Sequence, residues 1–318
     1  VIFTSGATES DNIAVFGVAE RYEDDGKHII TCKTEHKAVL DPCKELEERG
    51  WEVTYLPVDE YGMVDPNDVR DAIRDDTTLV SIMMANNEVG TIAPVQEIGA
   101  IAREHGAKFH TDAAQCLGHI PIDVDEMNID LMSASAHKCY GPKGIGVLYR
   151  RRSRPRVNVK PQMYGGGHER GLRSGTLNVP AIVGFGKAVE IGLKEMDEEN
   201  DRFRAWTDRM FAHLQEELGD LERNGHPEQR LAHNLNVYIP GIESRALIVD
   251  LKETAIATGS ACTSADVEPS HVITAMHDEQ RAHSSVRISV GRANDEEEIV
   301  EAAQRIADAA EQLRAFAL

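Results

Sequence analysis

Five stretches of this chain carry side chains that could do chemistry. In "SASAHKCYGPKG" (133–144), Ser135, His137 and Lys138 cluster at the end of the apolar run "DLMSASA", just before a turn. A lysine placed there and desolvated has a lowered pKa and forms Schiff bases with carbonyls; an ordinary surface lysine is the plain alternative. "FHTDAAQ" (109–115) puts Asp112 at the end of another apolar run, where it could pair with a buried cation or cap a helix. "TSGATES" (4–10) follows the first apolar run and opens a helix whose free N–H groups suit a phosphate. Thr8 with Asp11 would equally make a capping box there. "TEHKA" (34–38) sets His36 at a strand-to-helix junction. Finally, "ATGSACTSADVEPS" (257–270) holds Cys262 among small and polar residues, whereas buried cysteines usually have apolar neighbours.

The elements that must position these groups alternate. Strand-like runs at 1–5, 28–32, 51–58, 78–85, 107–112, 130–136 and 144–150 are interleaved with helical patterns at 8–23, 37–49, 66–74 and 95–105. That alternation predicts an α/β fold, a mostly parallel sheet with helices on both faces. Ligands collect at the carboxyl ends of the strands in such sheets, where four of the five stretches lie. A glycine-rich segment (164–176) and a long charged helix (180–218) follow. Shorter strands are expected in "HNLNVYIP", "TAIATG" and "SVRISVG", then a terminal helix over 295–316. The division expected is a large domain at 1–190 and a smaller α+β C-terminal domain at 191–318 carrying the cysteine loop.

Bulk composition narrows the function. The formal charge of −20 makes nucleic acid an unexpected partner, because phosphate binding needs a basic surface. The five arginines of "YRRRSRPR" (149–156) read as a solvated turn, with a docking patch for an acidic partner as the other reading. Five cysteines with no CxxC argue against a disulfide framework or a structural zinc site, and no HExxH occurs. No apolar run of about 18 residues and no signal peptide is evident, so a cytoplasmic location is expected.

A phosphate loop, a strand-end aspartate and a Schiff-base lysine are together the parts list for pyridoxal 5'-phosphate (PLP). At this point the sequence closely resembles the cysteine desulfurases of the NifS/IscS type, within the fold-type I PLP-dependent transferases. The motifs are "TSGATES", "KTEHKAVL", "NNEVGT", "TDAAQ", "SAHKCYGPKGIG", "GGGHERGLRSGT", "GSACTSA" and "SVRISVGR", spread over the whole chain. The long "SGSACTSA" loop is similar to that of the group that serves iron–sulfur scaffolds or tRNA thiolation.

The resemblance implies a role for each residue. Lys138 would bind PLP as a Schiff base and act as the base toward the substrate α-proton. Asp112 would pair with the ring nitrogen and Gln115 with the ring's phenolic oxygen. His36 would stack on the ring and handle protons, including that of the substrate thiol. Thr8, Ser135 and His137, with the backbone N–H groups of Ala7 and Thr8, would hold the phosphate. Thr176 would reach the phosphate of a second protomer, implying a homodimer. Asn87 would sit near the substrate carboxylate and the ring oxygen, and Arg287 would clamp that carboxylate. Cys262 would accept sulfur from L-cysteine as a persulfide, releasing L-alanine, and is the one candidate iron–sulfur ligand; no other metal is expected. The family carries an N-terminal arm ahead of "TSGATES", which this sequence does not include. Cys139, next to Lys138, reads as a small core residue. Two other readings stay open: selenocysteine lyase or another reaction on the same fold, and a non-catalytic paralogue.

Overall fold

The computed structural model describes residues 1–259 and 269–317. The chain folds into two compact units. The first comprises Val1–Pro57, Val64–Ala85 and Ala93–Met196. The second comprises Val58–Met63, Asn86–Ile92 and Asp197–Leu318, so two short excursions from the first half join the C-terminal unit.

The first unit is built on β1 (Ile2–Thr4), α1 (Ala7–Tyr22), β2 (His28–Cys32), α2 (Lys37–Glu48), β3 (Glu52–Leu56), α3 (Pro66–Ala72), β4 (Thr77–Ser81), α4 (Val95–Glu104), β5 (Lys108–Asp112), β6 (Leu131–Ser135) and β7 (Gly146–Arg150). The strands form one sheet in the order β1-β7-β6-β5-β4-β2-β3, parallel from β6 through β3, with β7 antiparallel to both β6 and β1. Every residue of β2, β4 and β6 is buried. Successive side chains point to opposite faces, so both faces of the sheet are covered. The expected α/β architecture is therefore present.

Local sequence explains how two of these helices fit. In α2, Pro42 cannot donate to the Ala38 carbonyl one turn earlier. The Asn12 amide of α1 approaches that carbonyl instead, at 3.5 Å. On α1, Ile13, Ala14, Val15, Val18 and Ala19 are fully buried and pack with Ile29, Leu79 and Leu148 from the sheet.

α5 (Val179–Leu218) is one continuous helix whose sequence crosses the unit boundary at residue 196/197. The second unit continues with β8 (Glu222–Asn224), β9 (Asn234–Tyr238), α6 (Ser244–Asp250), α7 (His271–Met276), α8 (Glu279–His283), β10 (Ser285–Ser289) and α9 (Glu296–Ala317). Its antiparallel sheet runs β10-β9-β8. Phe203, Trp206 and Met210 of α5, Leu235 and Val237 of β9, Val286 and Ile288 of β10, and Ile306 and Ala310 of α9 share one core. The stretch "TAIATG", expected as a strand, contributes one bridge, Ala257 opposite Arg287.

Candidate active site

Parallel pairing puts the ends of β2, β4, β5 and β6 at one edge of the first unit's sheet, and β1, parallel to β6, ends there too. His36 follows β2, Asp112 closes β5, Ser135 closes β6, and Gly6 follows β1. The register is specific: Gly146 opens β7 opposite Thr4 on one side and Ser135 on the other. A Cβ on Gly146 would lie 2.6 Å from the Gly6 Cα and 2.8 Å from the Ala134 carbonyl. Only glycine lets the start of α1 come this close to the end of β6.

That start is an open helix N-terminus. Its N-cap is Gly6, with no side-chain cap, and the first intrahelical bond runs from Ser10 N–H to the Gly6 carbonyl at 3.2 Å. Thr8 is thus inside the first turn and exposed, so the capping box with Asp11 does not form. Glu9 instead reaches back to Ser5 N–H at 2.6 Å. It also makes a two-pronged ion pair with Arg173, at 2.7 and 3.1 Å. This ties the "RSGT" segment to α1, with Thr176 three residues further on and exposed. A Cβ on Gly6 would stand 3.8 Å from the Ser135 hydroxyl, which pairs with His137 Nδ1 at 2.9 Å. Burial, then Lys138 and Lys143, push the His137 pKa below its usual value.

Lys138 lies on the short 3₁₀ turn Ala136–Cys139, its side chain exposed and its carbonyl accepting from His119 Nε2 at 3.1 Å. Tyr140 ends the turn in the left-handed region, φ 63°. Cys139 points the other way, buried beside Ile145 and Phe185, as expected of a core residue. Asp112 is buried and accepts from Ala114 N–H at 2.8 Å. Burial raises its pKa above the usual carboxylate value, while the hydrogen bond from Ala114 N–H and then the neighbouring His36 and Lys138 side chains pull it back. His36 caps α2, its Nδ1 accepting from Ala38 N–H at 3.1 Å, which leaves the ring proton on Nε2. Gln115 is half-buried just after Asp112.

Behind Asp112 lies a buried polar cluster that the motifs did not reveal. His110, two residues earlier on β5, has its Nδ1 2.8 Å from Ser81 Oγ and its Nε2 3.0 Å from Ser133 Oγ. Asp11 of α1 stands 3.6 Å from His110 Nε2. Glu35 accepts from Met83 N–H at 2.5 Å. Burial first, then the Asp112 charge, raise both Asp11 and Glu35 well above the usual carboxylate range, and Glu35 adds to the rise at Asp11. One signal was available: Asp11 shares a helix face with Val15 and Val18, an acid on an apolar stripe.

The remaining candidates belong to the second unit. Asn87 lies in the turn 86–91, and its carbonyl accepts from Arg287 Nη1 of β10 at 2.8 Å. Arg287 is half-buried and its backbone bridges Ala257, with N–H···O distances of 2.7 and 3.1 Å. Cys262 falls within 260–268, outside the described residues. Among the described residues no group of three or more His, Cys, Asp or Glu side chains could hold a metal ion.

Residues 1–301 match the class-V aminotransferase family. Cysteine desulfurase IscS of Pseudomonas aeruginosa (strain UCBPP-PA14) is 52% identical over 315 residues, which cover 99% of this chain and 78% of that protein. Among solved structures, a NifS-like protein superposes with a TM-score of 0.88 at 38% identity, covering 98% of this chain and 82% of the other. SspA in complex with cysteine gives a TM-score of 0.77 at 39% identity, covering 91% and 80%.

Proposed function

The chain belongs to the class-V aminotransferase family and, within it, to the IscS-type cysteine desulfurases, and from that premise we propose a role for each residue in its PLP-dependent conversion of L-cysteine to L-alanine. The observation that carries the reading is that the uncapped start of α1, His36, the buried Asp112 and the Ser135–His137 pair, with Lys138 next to it, all lie at or just after strand ends at one edge of the sheet.

The residues present fit the cofactor. α1 offers uncapped N–H groups at Ala7 and Thr8, and the Ser135 hydroxyl stands across Gly6 from them, an anion cradle suited to the phosphate. Thr8 and His137 complete that cradle. Asp112, in a buried setting that disfavours a lone carboxylate, gains from a cationic partner, which a protonated ring nitrogen provides. Gln115 and Asn87 would serve the ring oxygen. When bound, PLP supplies an aldehyde that captures the substrate amine and a ring that withdraws electrons from its α-carbon.

The chain's own residues then divide the work. The Lys138 amine would hold the aldehyde and would take the substrate α-proton. His36, its Nδ1 already occupied by Ala38 N–H, offers a proton from Nε2 rather than a lone pair. Arg287 spends one N–H on the Asn87 carbonyl and keeps others for the substrate carboxylate, as a fork. The Cys262 thiolate would attack the substrate sulfur: the new S–S bond forms as the substrate Cβ–S bond breaks, its electron pair stays on the carbon side, and Cβ takes a proton, so that Cys262 carries the persulfide and alanine is released.

The same reading extends to partners. The active form is a homodimer in which Thr176 reaches the phosphate of a second protomer. The persulfide passes to an iron–sulfur scaffold or another sulfur-acceptor protein. No helix among the described residues is long and apolar enough to cross a membrane, which agrees with work in the cytoplasm. The test is production of alanine and sulfide from L-cysteine by the PLP-loaded protein with dithiothreitol present. Neither product forming would refute the reading. Selenocysteine in place of cysteine, with selenide measured, separates a lyase preference.

A further inference from the structure

We infer that Glu88 is a positioning residue for Cys262: its buried carboxylate pins together Gly259 and Ser270, the two points between which the chain carries the cysteine. The inference rests on the reading of Cys262 as sulfur acceptor and deepens it.

Glu88 is 3% exposed in the turn 86–91. The Asn86 side-chain oxygen accepts from Glu88 N–H at 2.8 Å and Val89 N–H at 3.0 Å. Asn86 N–H bonds the Thr91 carbonyl at 2.9 Å, and Gly90 N–H the Asn86 carbonyl at 3.0 Å. The Glu88 carbonyl accepts from the Asn236 amide of β9 at 3.0 Å. The backbone that presents the carboxylate is thus fixed on every side.

The carboxylate meets both ends of the segment. The Ser270 hydroxyl donates to Glu88 Oε2 at 2.5 Å while accepting from Ile273 N–H at 3.2 Å, the cap of α7. A hydroxyl has one proton, and here it goes to the acid. At the other end, a Cβ on Gly259 would overlap Glu88 Oε2 and lie 2.9 Å from Ser270 Oγ. Glycine at 259 therefore lets the outgoing backbone press against the carboxylate beside the returning Ser270. Capping α7 needs only the serine. A buried carboxylate is costly unless hydrogen-bonded, so its placement at the meeting point calls for a second task.

The same turn also carries the carbonyl of Asn87 that holds Arg287, and Arg287 bridges Ala257 two residues before Gly259. One rigid turn thereby fixes the substrate-carboxylate clamp and both feet of the cysteine segment. The rate at which a tethered thiol meets a fixed target follows its effective concentration, which is set by where the tether is anchored. Releasing the feet lowers that concentration without touching the substrate clamp.

The test uses the full PLP-loaded protein in a single turnover with L-cysteine, with Cys262 persulfide read by mass spectrometry after alkylation. L-Cysteine affinity is read separately from the cofactor absorbance. Amide hydrogen exchange at 257–259 and 270–273 is read on the protein without cofactor. Glu88→Ala and Gly259→Ala should each slow persulfide formation about tenfold, the population change expected from losing one charge-assisted hydrogen bond. Affinity should stay within about twofold and exchange should quicken at both ends. Glu88→Gln, which keeps an acceptor for Ser270, should recover most of the rate. Persulfide formation at the parent rate in Gly259→Ala, or an equal loss of rate and affinity in both variants, overturns the inference; Gly259→Ala decides alone if Glu88→Ala does not fold. A Cys262→Ala control separates the two levels. If it still desulfurates cysteine, the acceptor reading falls and the inference with it; if it is silent while the other variants run at the parent rate, only Glu88's role falls.

Discussion

His110 has no exposed surface, and burial pushes its pKa down from 6.5 to about 3. Between those values the folded imidazole stays neutral while the unfolded chain takes up a proton. The unfolded state then holds more protons, so stability is lost as pH falls through this window, by about 1.4 kcal/mol per pH unit. From pH 6.5 to 4.5 the His110 contribution shrinks by about 2.3 kcal/mol, because the unfolded imidazole is already half protonated at pH 6.5. His110→Gln removes this titration. The variant should lose a pH-independent amount, roughly 1–3 kcal/mol, for the bonds to Ser81 and Ser133 that it does not remake. It should then gain on the parent as the solution is acidified. Asp11 and Glu35 act in the opposite sense: with raised folded pKa values they keep protons in the folded state, and stability falls as pH rises above their usual range. Both acids remain in the variant, so to first order they drop out of the difference. The assay is guanidinium unfolding without cofactor at half-unit steps of pH. Trp51 lies in the core of the first unit, so its fluorescence in a Trp206→Phe background follows the unit that holds His110. The gap between parent and variant should narrow by about 2.3 kcal/mol between pH 6.5 and 4.5. Parallel curves would refute the reasoning.

Lys138→Ala should abolish the borohydride-reducible PLP adduct, and its persistence would move the Schiff base to another lysine. Cys262→Ala should keep the cofactor spectrum and make no persulfide; normal turnover with L-cysteine would end the acceptor assignment. Asp112→Ala should retain some PLP but cut turnover roughly 30- to 100-fold, as expected from losing a charge-assisted hydrogen bond to the ring. Near-parent rates would mean that the ring nitrogen has a different partner. Gly146→Ala should destabilise the first unit by about 1–3 kcal/mol and weaken PLP binding, because its new Cβ meets backbone rather than flexible side chains. An unchanged melting temperature and PLP titration would show that the edge can widen freely.

Much of the fold is legible in the linear chain. Helices expected over 8–23, 37–49 and 95–105 are found at Ala7–Tyr22, Lys37–Glu48 and Val95–Glu104. Strands expected at 28–32 and 107–112 are found at His28–Cys32 and Lys108–Asp112. These elements are encoded by local periodicity, which needs no distant partner to be read. The short pieces are not legible in this way. β8 is three residues that become a strand only through pairing with Tyr238, Val237 and Asn236. "TAIATG" has a strand's composition but finds one bridging partner. The candidate chemical groups are visible as types because Schiff-base, phosphate and carboxylate chemistry restricts the residues that can serve.

By itself the sequence determined the inventory: the lysine, aspartate, histidine and cysteine, their order, and the periodic elements that carry them, all properties of neighbours along the chain. Only the tertiary structure decided what Asp11, His110 and Glu88 do. Asp11 read as a capping partner until the sheet put His110 beside it and burial raised its pKa. Glu88 read as one letter of "NNEVGT" until folding brought Gly259 and Ser270 to its carboxylate. Protonation and close approach depend on which distant residues share a space and how much water they exclude, and no local pattern encodes either.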